Sequence, residues 1–131
     1  SFTKSKNKPT IISDGWYDSD LLLKVTEIAS KININLRQGI YTWTTGPSYE
    51  TASEIKEIKQ LGGHAVGMSG LPEIERIYSL NMKMIGLCCL TNYASGISGE
   101  ELTHSEVVEK AQNSQEEFIK MIDALIENIN I

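Results

Sequence analysis

The fold is decided by the run Ile40-Tyr41-Thr42-Trp43-Thr44-Thr45-Gly46-Pro47-Ser48-Tyr49-Glu50-Thr51, which opens a stretch that continues to Asn92. The first six residues are β-branched or aromatic, which is typical of a strand, and Gly46-Pro47 ends that strand. Two later phrases also stand where apolar runs end, namely Gly67-Met68-Ser69 and Thr91-Asn92. In open α/β proteins, ligands bind in the crevice outside the carboxyl ends of the strands. We therefore expect a carboxylate, a hydroxyl and an amide from these phrases to converge on one small polar molecule.

A helix is predicted directly after Glu50. Thr51 and Glu54 have the T-x-x-E spacing of a capping box, in which the two side chains bond to each other's backbone N–H groups. The apolar face of this helix is predicted to be Ile55, Ile58 and Leu61. Gly62-Gly63 ends it. Because Glu54 supplies the capping carboxylate, Glu50 is left available for a ligand.

Helices and strands alternate along the rest of the chain. Apolar spacing predicts three further helices: over residues 19–30, from Pro72 onward, and over residues 104–128. The buried stripe of the helix that contains Pro72 is predicted to be Ile74, Ile77 and Tyr78. Either Ser69 or Gly70 is expected to cap the helix that contains Pro72. Apolar runs predict two further strands, residues 64–68 and 84–90. The alternation indicates an α/β fold with a long C-terminal helix.

The run over residues 84–90 is apolar at every position except the small Gly86. Such a strand is expected to be buried on both faces, which indicates a parallel or mixed sheet flanked by helices. Three strands are few for a free-standing sheet, and an open edge invites aggregation unless it is covered or paired. The sequence therefore predicts part of a larger layered fold.

Composition limits the classes of function. The 131 residues carry a net charge of −5, and the chain is therefore acidic. Without a basic face it is a poor candidate for nucleic-acid binding. Residues 1–12 are interpreted as a polar lead-in or linker, and residues 13–131 as one domain unit. No apolar run approaches the roughly 18 residues of a membrane span, so we expect a soluble, cytoplasmic protein.

The cysteines and histidines do not predict a metal site. Cys88 and Cys89 are adjacent on a predicted strand and point to opposite faces, so we expect two buried free thiols in a reducing compartment. His64 and His104 stand 40 residues apart, without a metal-ligand spacing.

Four phrases in order carry a family resemblance: Gly46-Pro47-Ser48-Tyr49-Glu50-Thr51; Ala65-Val66-Gly67-Met68-Ser69 followed by Pro72-Glu73; Leu90-Thr91-Asn92; and Leu102-Thr103-His104-Ser105-Glu106-Val107. Together they resemble the carboxyl-terminal half of the trimeric purine nucleoside phosphorylases, over residues 13–126. Members of that family are about twice as long. The sequence lacks the amino-terminal half, with its Gly-rich phosphate loop, further phosphate ligands and several strands. The resemblance therefore implies a fragment, a split gene product or one piece of a cleaved chain.

The resemblance implies phosphorolysis of inosine or guanosine, with inorganic phosphate as co-substrate and no cofactor. It implies that Glu50 accepts the N1 proton of a 6-oxopurine and that Asn92 donates to N7 or O6 of the departing base. A relative that acts on 6-aminopurine nucleosides has Asp where this chain has Asn92. The other positions implied to bind substrate are Tyr41, Tyr49 and Gly67 around the base, Met68 at the ribose, Ser69 at the phosphate, Thr91 beside Asn92, and His104 near the ribose 5′-hydroxyl.

Each residue also has a simpler interpretation. Glu50 could be an exposed acid near a helix dipole, Asn92 a turn residue, and Ser69 a plain helix cap. The alternative function is accordingly an inactive remnant or a purine-binding module; a nucleosidase that uses water is a weaker third reading. The expected partners are the missing amino-terminal half and, by resemblance, further copies of the protein in a trimer.

Overall fold

In a computed structural model of the chain, the described residues are 10–11, 16–97 and 115–129. These ranges contain three short strands and four helices. In chain order they are β1 (Thr10–Ile11), α1 (Ser19–Lys31), β2 (Tyr41–Trp43), α2 (Ala52–Gln60), β3 (Ala65–Gly67), α3 (Leu71–Ser79) and α4 (Gln115–Asn128). The predicted α/β fold, with a mixed sheet and a long C-terminal helix, is confirmed.

The strands form one sheet in the order β1-β2-β3. β1 runs antiparallel to β2, whereas β2 and β3 are parallel, with Tyr41 opposite Ala65 and Trp43 opposite Gly67. The crossover between the two parallel strands contains α2. Thr42, in the middle of β2, is fully buried. Because β2 and β3 are parallel, the residues that follow their carboxyl ends lie side by side at one edge of the sheet.

The helix starts follow from local hydrogen bonding. Asp18 caps α1 by accepting from the Leu21 N–H at 2.9 Å. The predicted capping box of α2 is confirmed: the Thr51 N–H donates to Glu54 Oε2 at 2.7 Å, and the Glu54 N–H donates to Thr51 Oγ1 at 3.3 Å. α3 starts after Gly70, whose φ of 95° lies in the left-handed region. Gly70 and not Ser69 is therefore the cap of α3.

The main apolar cluster lies between α1 and α4. Its buried members are Val25, Ile28, Ala29, Met121, Ala124 and Leu125. Ile85 and Leu87 pack against this cluster from the segment that follows α3. A second buried pair, Ile55 and Ile58, comes from α2. No described helix is both long and apolar enough to cross a membrane.

The prediction of a doubly buried strand over residues 84–90 was wrong. Its alternate residues Ile85 and Leu87 face the helices, but Leu90 is 66% exposed. Cys88 and Cys89 are also exposed, so the predicted burial of the thiols was wrong as well. A strand is buried on both faces only inside a sheet, and no described strand pairs with this segment.

The stripe predicted for α3 needs one correction. Tyr78 is 53% exposed and stacks on Trp16, with ring centroids 5.2 Å apart and planes 15° from parallel. The buried residue of α3 is instead Leu71. Residues 98–114, which include His104 and the predicted start of the last helix, lie outside the described residues.

Candidate active site

Two hydrogen bonds hold the carboxyl end of β3 beside β2. The Thr44 N–H donates to the Gly67 carbonyl at 2.9 Å, which extends the pairing one residue beyond β2. The Tyr41 hydroxyl donates to the Ser69 carbonyl at 3.0 Å. Gly67 allows the second bond, because any side chain there would collide with the Tyr41 hydroxyl. The end of β3 is thus fixed beside β2 on the side where the predicted phrases lie.

Glu50 is anchored by a side chain from the end of β2. Thr44 Oγ1 donates to Glu50 Oε1 at 2.5 Å, and both residues are half-buried. Glu54 makes the capping contacts of α2, so the Glu50 carboxylate has no part in the helix start. An ionised carboxylate accepts hydrogen bonds and donates none. At this position Glu50 is suited to bind an N–H group of a ligand.

Met68 joins the turn after β2 to the end of β3. A Cβ atom on Gly46 would lie 2.7 Å from Met68 Sδ, so the thioether covers the backbone of that turn. Gly46 has a φ of 60°, which a glycine adopts without strain. The half-buried Met68 side chain therefore forms an apolar surface between the Glu50 turn and Ser69.

Asn92 is oriented by its two neighbours. The Thr91 hydroxyl donates to Asn92 Oδ1 at 2.6 Å, and Asn92 Nδ2 donates to the Tyr93 carbonyl at 2.9 Å. One N–H of the carboxamide is used by Tyr93, so the second is left to donate elsewhere.

The loop that contains Asn92 contacts the start of α2. Gly96, with a φ of 77°, approaches so closely that a Cβ atom on it would lie 2.7 Å from Ala52 Cβ. Ala52 is two residues after Glu50. The segments that contain the carboxylate and the carboxamide are therefore neighbours, although 42 residues separate them in the sequence.

Sequence reasoning assigned no role to Tyr17 or Thr44. Burial raises the pKa of Tyr17, and nearby Tyr41 and Cys88 raise it further. Burial also raises the pKa of Tyr41, against the opposing effect of its hydrogen bond to Ser69. Both phenols thus stay protonated at neutral pH. The available signal for Thr44 was its place at the end of a strand, immediately before the turn that leads to Glu50.

The remaining predicted positions border solvent or are not described. Tyr49 is 42% exposed and Ser69 is exposed, so both lie at the rim. His104 falls outside the described ranges, and its proximity to the site stays a prediction. Within those ranges no three His, Cys, Asp or Glu side chains are grouped as a metal ion would need.

Comparison with known proteins identifies the family. The model for the phosphorylase superfamily matches residues 1–127, and the chain belongs to that superfamily. It is 38% identical over 110 residues to purine nucleoside phosphorylase 1 of Bacillus subtilis, which covers 84% of the chain and 41% of that protein. It is also 46% identical over 89 residues to the 6-oxopurine nucleoside phosphorylase of Pyrococcus furiosus, which covers 68% of the chain and 34% of the relative.

The fold is shared with a solved member of the same group. Schistosoma mansoni purine nucleoside phosphorylase, in a crystal structure with inosine, superposes with a TM-score of 0.82 at 25% identity. The match covers 88% of this chain and 42% of that protein. The chain thus spans less than half the length of the relatives that it matches.

Proposed function

We propose that this chain supplies the base- and ribose-binding part of an enzyme that cleaves 6-oxopurine ribonucleosides, inosine and guanosine, with phosphate. The products are the free base and ribose 1-phosphate. The observation that carries the proposal is the anchored Glu50 carboxylate, which the start of α2 does not use. The relatives named as purine and 6-oxopurine nucleoside phosphorylases support this substrate class.

The reaction requires stabilisation of charge on the leaving base. Phosphate attacks the anomeric carbon as the glycosidic bond breaks, and the electron pair of that bond passes into the purine. In the proposed mechanism, Glu50 accepts the N1–H of the base, and the second N–H of Asn92 Nδ2 donates to N7 or O6. Donors fixed in advance where negative charge develops lower the barrier most effectively. The bonds from Asn92 to Thr91 and Tyr93 supply that preorganisation.

The rest of the proposed site follows the edge of the sheet. Met68 would contact the ribose, with Tyr49 against the base at the rim. Ser69 would bind phosphate through its hydroxyl, just before the positive end of α3. The Tyr41 hydroxyl bonds to the Ser69 carbonyl and thereby limits rotation of that peptide group. His104 is proposed to contact the ribose 5′-hydroxyl.

We also propose that an amino-terminal half completes the enzyme and supplies further phosphate ligands. The chain covers only 41% of the Bacillus relative. The described segment over residues 84–90 is only partly covered: Met84 is buried and Ile85 and Leu87 pack against the main apolar cluster, whereas Leu90 is 66% exposed. A strand from the other half would pair with this segment. The complete enzyme is proposed to be a cytoplasmic trimer.

The test is an assay with inosine and phosphate, in which hypoxanthine is measured by chromatography. The 131-residue chain is assayed alone and with a separately produced amino-terminal half of a relative. We expect turnover with both halves present, and a loss of at least about 100-fold for Glu50→Gln. Glu57→Gln, which changes an exposed carboxylate on α2, is the matched control.

Three other results would contradict the proposal in distinguishable ways. Hypoxanthine binding without turnover would show that the chain is a purine-binding module. The absence of both binding and turnover would show that it is an inactive remnant. Turnover that does not depend on phosphate would assign a nucleosidase.

A further inference from the structure

Thr44 is the described anchor of the Glu50 carboxylate. Its hydroxyl donates to Oε1, and both residues are half-buried. We propose that Thr44 is a positioning residue that holds Oε1 so that Oε2 faces the base, and that it thereby favours purines with an N1–H. This inference rests on the proposed function and adds to it a residue that sets base specificity.

The anchor is rigid because its own backbone is fixed. The Thr44 N–H bonds to the Gly67 carbonyl at 2.9 Å, so the residue belongs to the paired edge of β2 and β3. A β-branched side chain also has few χ1 rotamers, which limits where the hydroxyl can point. Glu50 lies outside both flanking elements and has three side-chain torsions of its own. Without Thr44, binding a base would have to immobilise that side chain at an entropic cost.

The direction of the hydrogen bond determines what Glu50 can bind. The threonine hydroxyl donates to one oxygen of the glutamate, and the second oxygen of an ionised carboxylate can only accept. Hypoxanthine has an N1–H that can donate to the second carboxylate oxygen, so donor and acceptor match. Adenine presents an N1 lone pair, which would face the carboxylate without a proton between them. A carboxylate held by Thr44 therefore favours the 6-oxo base over the 6-amino base.

The test is equilibrium binding of hypoxanthine and adenine to the 131-residue chain by calorimetry. Thr44→Val preserves the side-chain shape but removes the donor of a charged acceptor. We therefore expect hypoxanthine to bind about tenfold more weakly. The ratio of hypoxanthine affinity to adenine affinity should fall by a similar factor. Thr44→Ser keeps the hydroxyl and should stay within about threefold of the unaltered chain. Thr45→Val, at the exposed neighbouring threonine, is the matched control.

A cycle with Glu50→Gln separates positioning from a purely structural role. If Thr44 acts through Glu50, Thr44→Val causes no further loss of hypoxanthine binding in the Glu50→Gln background. An equal loss in both backgrounds, or an equal loss for both bases, would overturn the inference. Equal hypoxanthine binding by the unaltered chain and by Thr44→Val would also overturn it, while leaving the proposed function intact. Failure of the unaltered chain to bind hypoxanthine, both alone and with the amino-terminal half, would overturn the proposed function and this inference together.

Discussion

The Tyr41 hydroxyl donates to the Ser69 carbonyl at 3.0 Å, across 28 residues of sequence. This bond joins the first residue of β2 to the turn that precedes α3. Because Ser69 comes just before Gly70, the cap of α3, the bond helps to set the angle at which that helix leaves the sheet. A single phenol thus connects the proposed base-binding edge to the proposed phosphate-binding turn.

Tyr41→Phe tests this connection. The ring remains but the donor is lost, so we expect a destabilisation of about 1 kcal/mol, the usual net value of one hydrogen bond. In the completed enzyme we expect the KM for phosphate to rise more than the KM for inosine, since Ser69 is the residue released. Chemical unfolding and steady-state kinetics measure the two effects. An unchanged KM for phosphate would show that Tyr41 does not influence phosphate binding.

Asn92→Asp tests how the departing base is bound. The substitution replaces the donor Nδ2 by a carboxylate oxygen, so O6 of hypoxanthine would meet an acceptor instead of a donor. We expect hypoxanthine affinity to fall by about 100-fold, since a buried polar pair is left unmatched, and adenine to gain relative to hypoxanthine. Asn81→Asp, at an exposed position after α3, is the control. Unaltered base preference would exclude Asn92 from the base site.

Gly96→Ala tests whether the Asn92 loop must lie close to α2. The added methyl group would lie 2.7 Å from Ala52 Cβ, at a φ of 77°. Gly62→Ala provides the matched comparison, because it has a similar φ of 89° but its nearest neighbour is 3.9 Å away. Both variants should show the roughly 1–2 kcal/mol strain of a left-handed alanine. Only Gly96→Ala should also weaken hypoxanthine binding; equal binding by the two variants would show that the loop tolerates displacement.

The two half-buried phenols Tyr17 and Tyr41 predict how stability changes at alkaline pH. The pKa values of Tyr17 and Tyr41 are raised above their ordinary value of 10.0 in the folded chain, mainly by burial. Between the unfolded and folded pKa values the unfolded chain has fewer bound protons, so the free energy of unfolding falls as pH rises above 10 and is unaffected by these groups below it. Urea unfolding between pH 9 and 11 measures the slope. Tyr17→Phe and Tyr41→Phe should each flatten it, whereas Tyr93→Phe, at a 73% exposed residue, should not.

Local signals in the sequence predicted the helices and their caps well. The Thr51-to-Glu54 spacing identified the start of α2 because a capping box depends only on residues within one turn. The same spacing separated Glu50 from the cap, which is the basis of its proposed role. The α1 helix, predicted over residues 19–30, is observed over Ser19–Lys31 for the same reason.

Pairing and burial could not be predicted equally well, since they depend on distant segments. Residues 84–90 have the composition of a doubly covered strand, yet no described strand lies beside them. Tyr78 has helical spacing with Ile74, but its ring stacks on Trp16, and that contact depends on where the segment before α1 lies. The hydrogen bond from Thr44 to Glu50 could likewise not be predicted from the sequence, because the turn at Gly46 and Pro47 brings the two side chains together only after folding.

The packing of α1 against α4 has a consequence for biosynthesis. Val25 and Leu125 share one buried cluster, although they are 100 positions apart in the sequence. A ribosome makes the chain from the amino terminus, so Val25 emerges long before the residues that shield it. Until α4 leaves the exit tunnel, the apolar stripe of α1 lacks its partners Met121, Ala124 and Leu125. Nascent chains of this protein are therefore expected to need a chaperone to avoid aggregation.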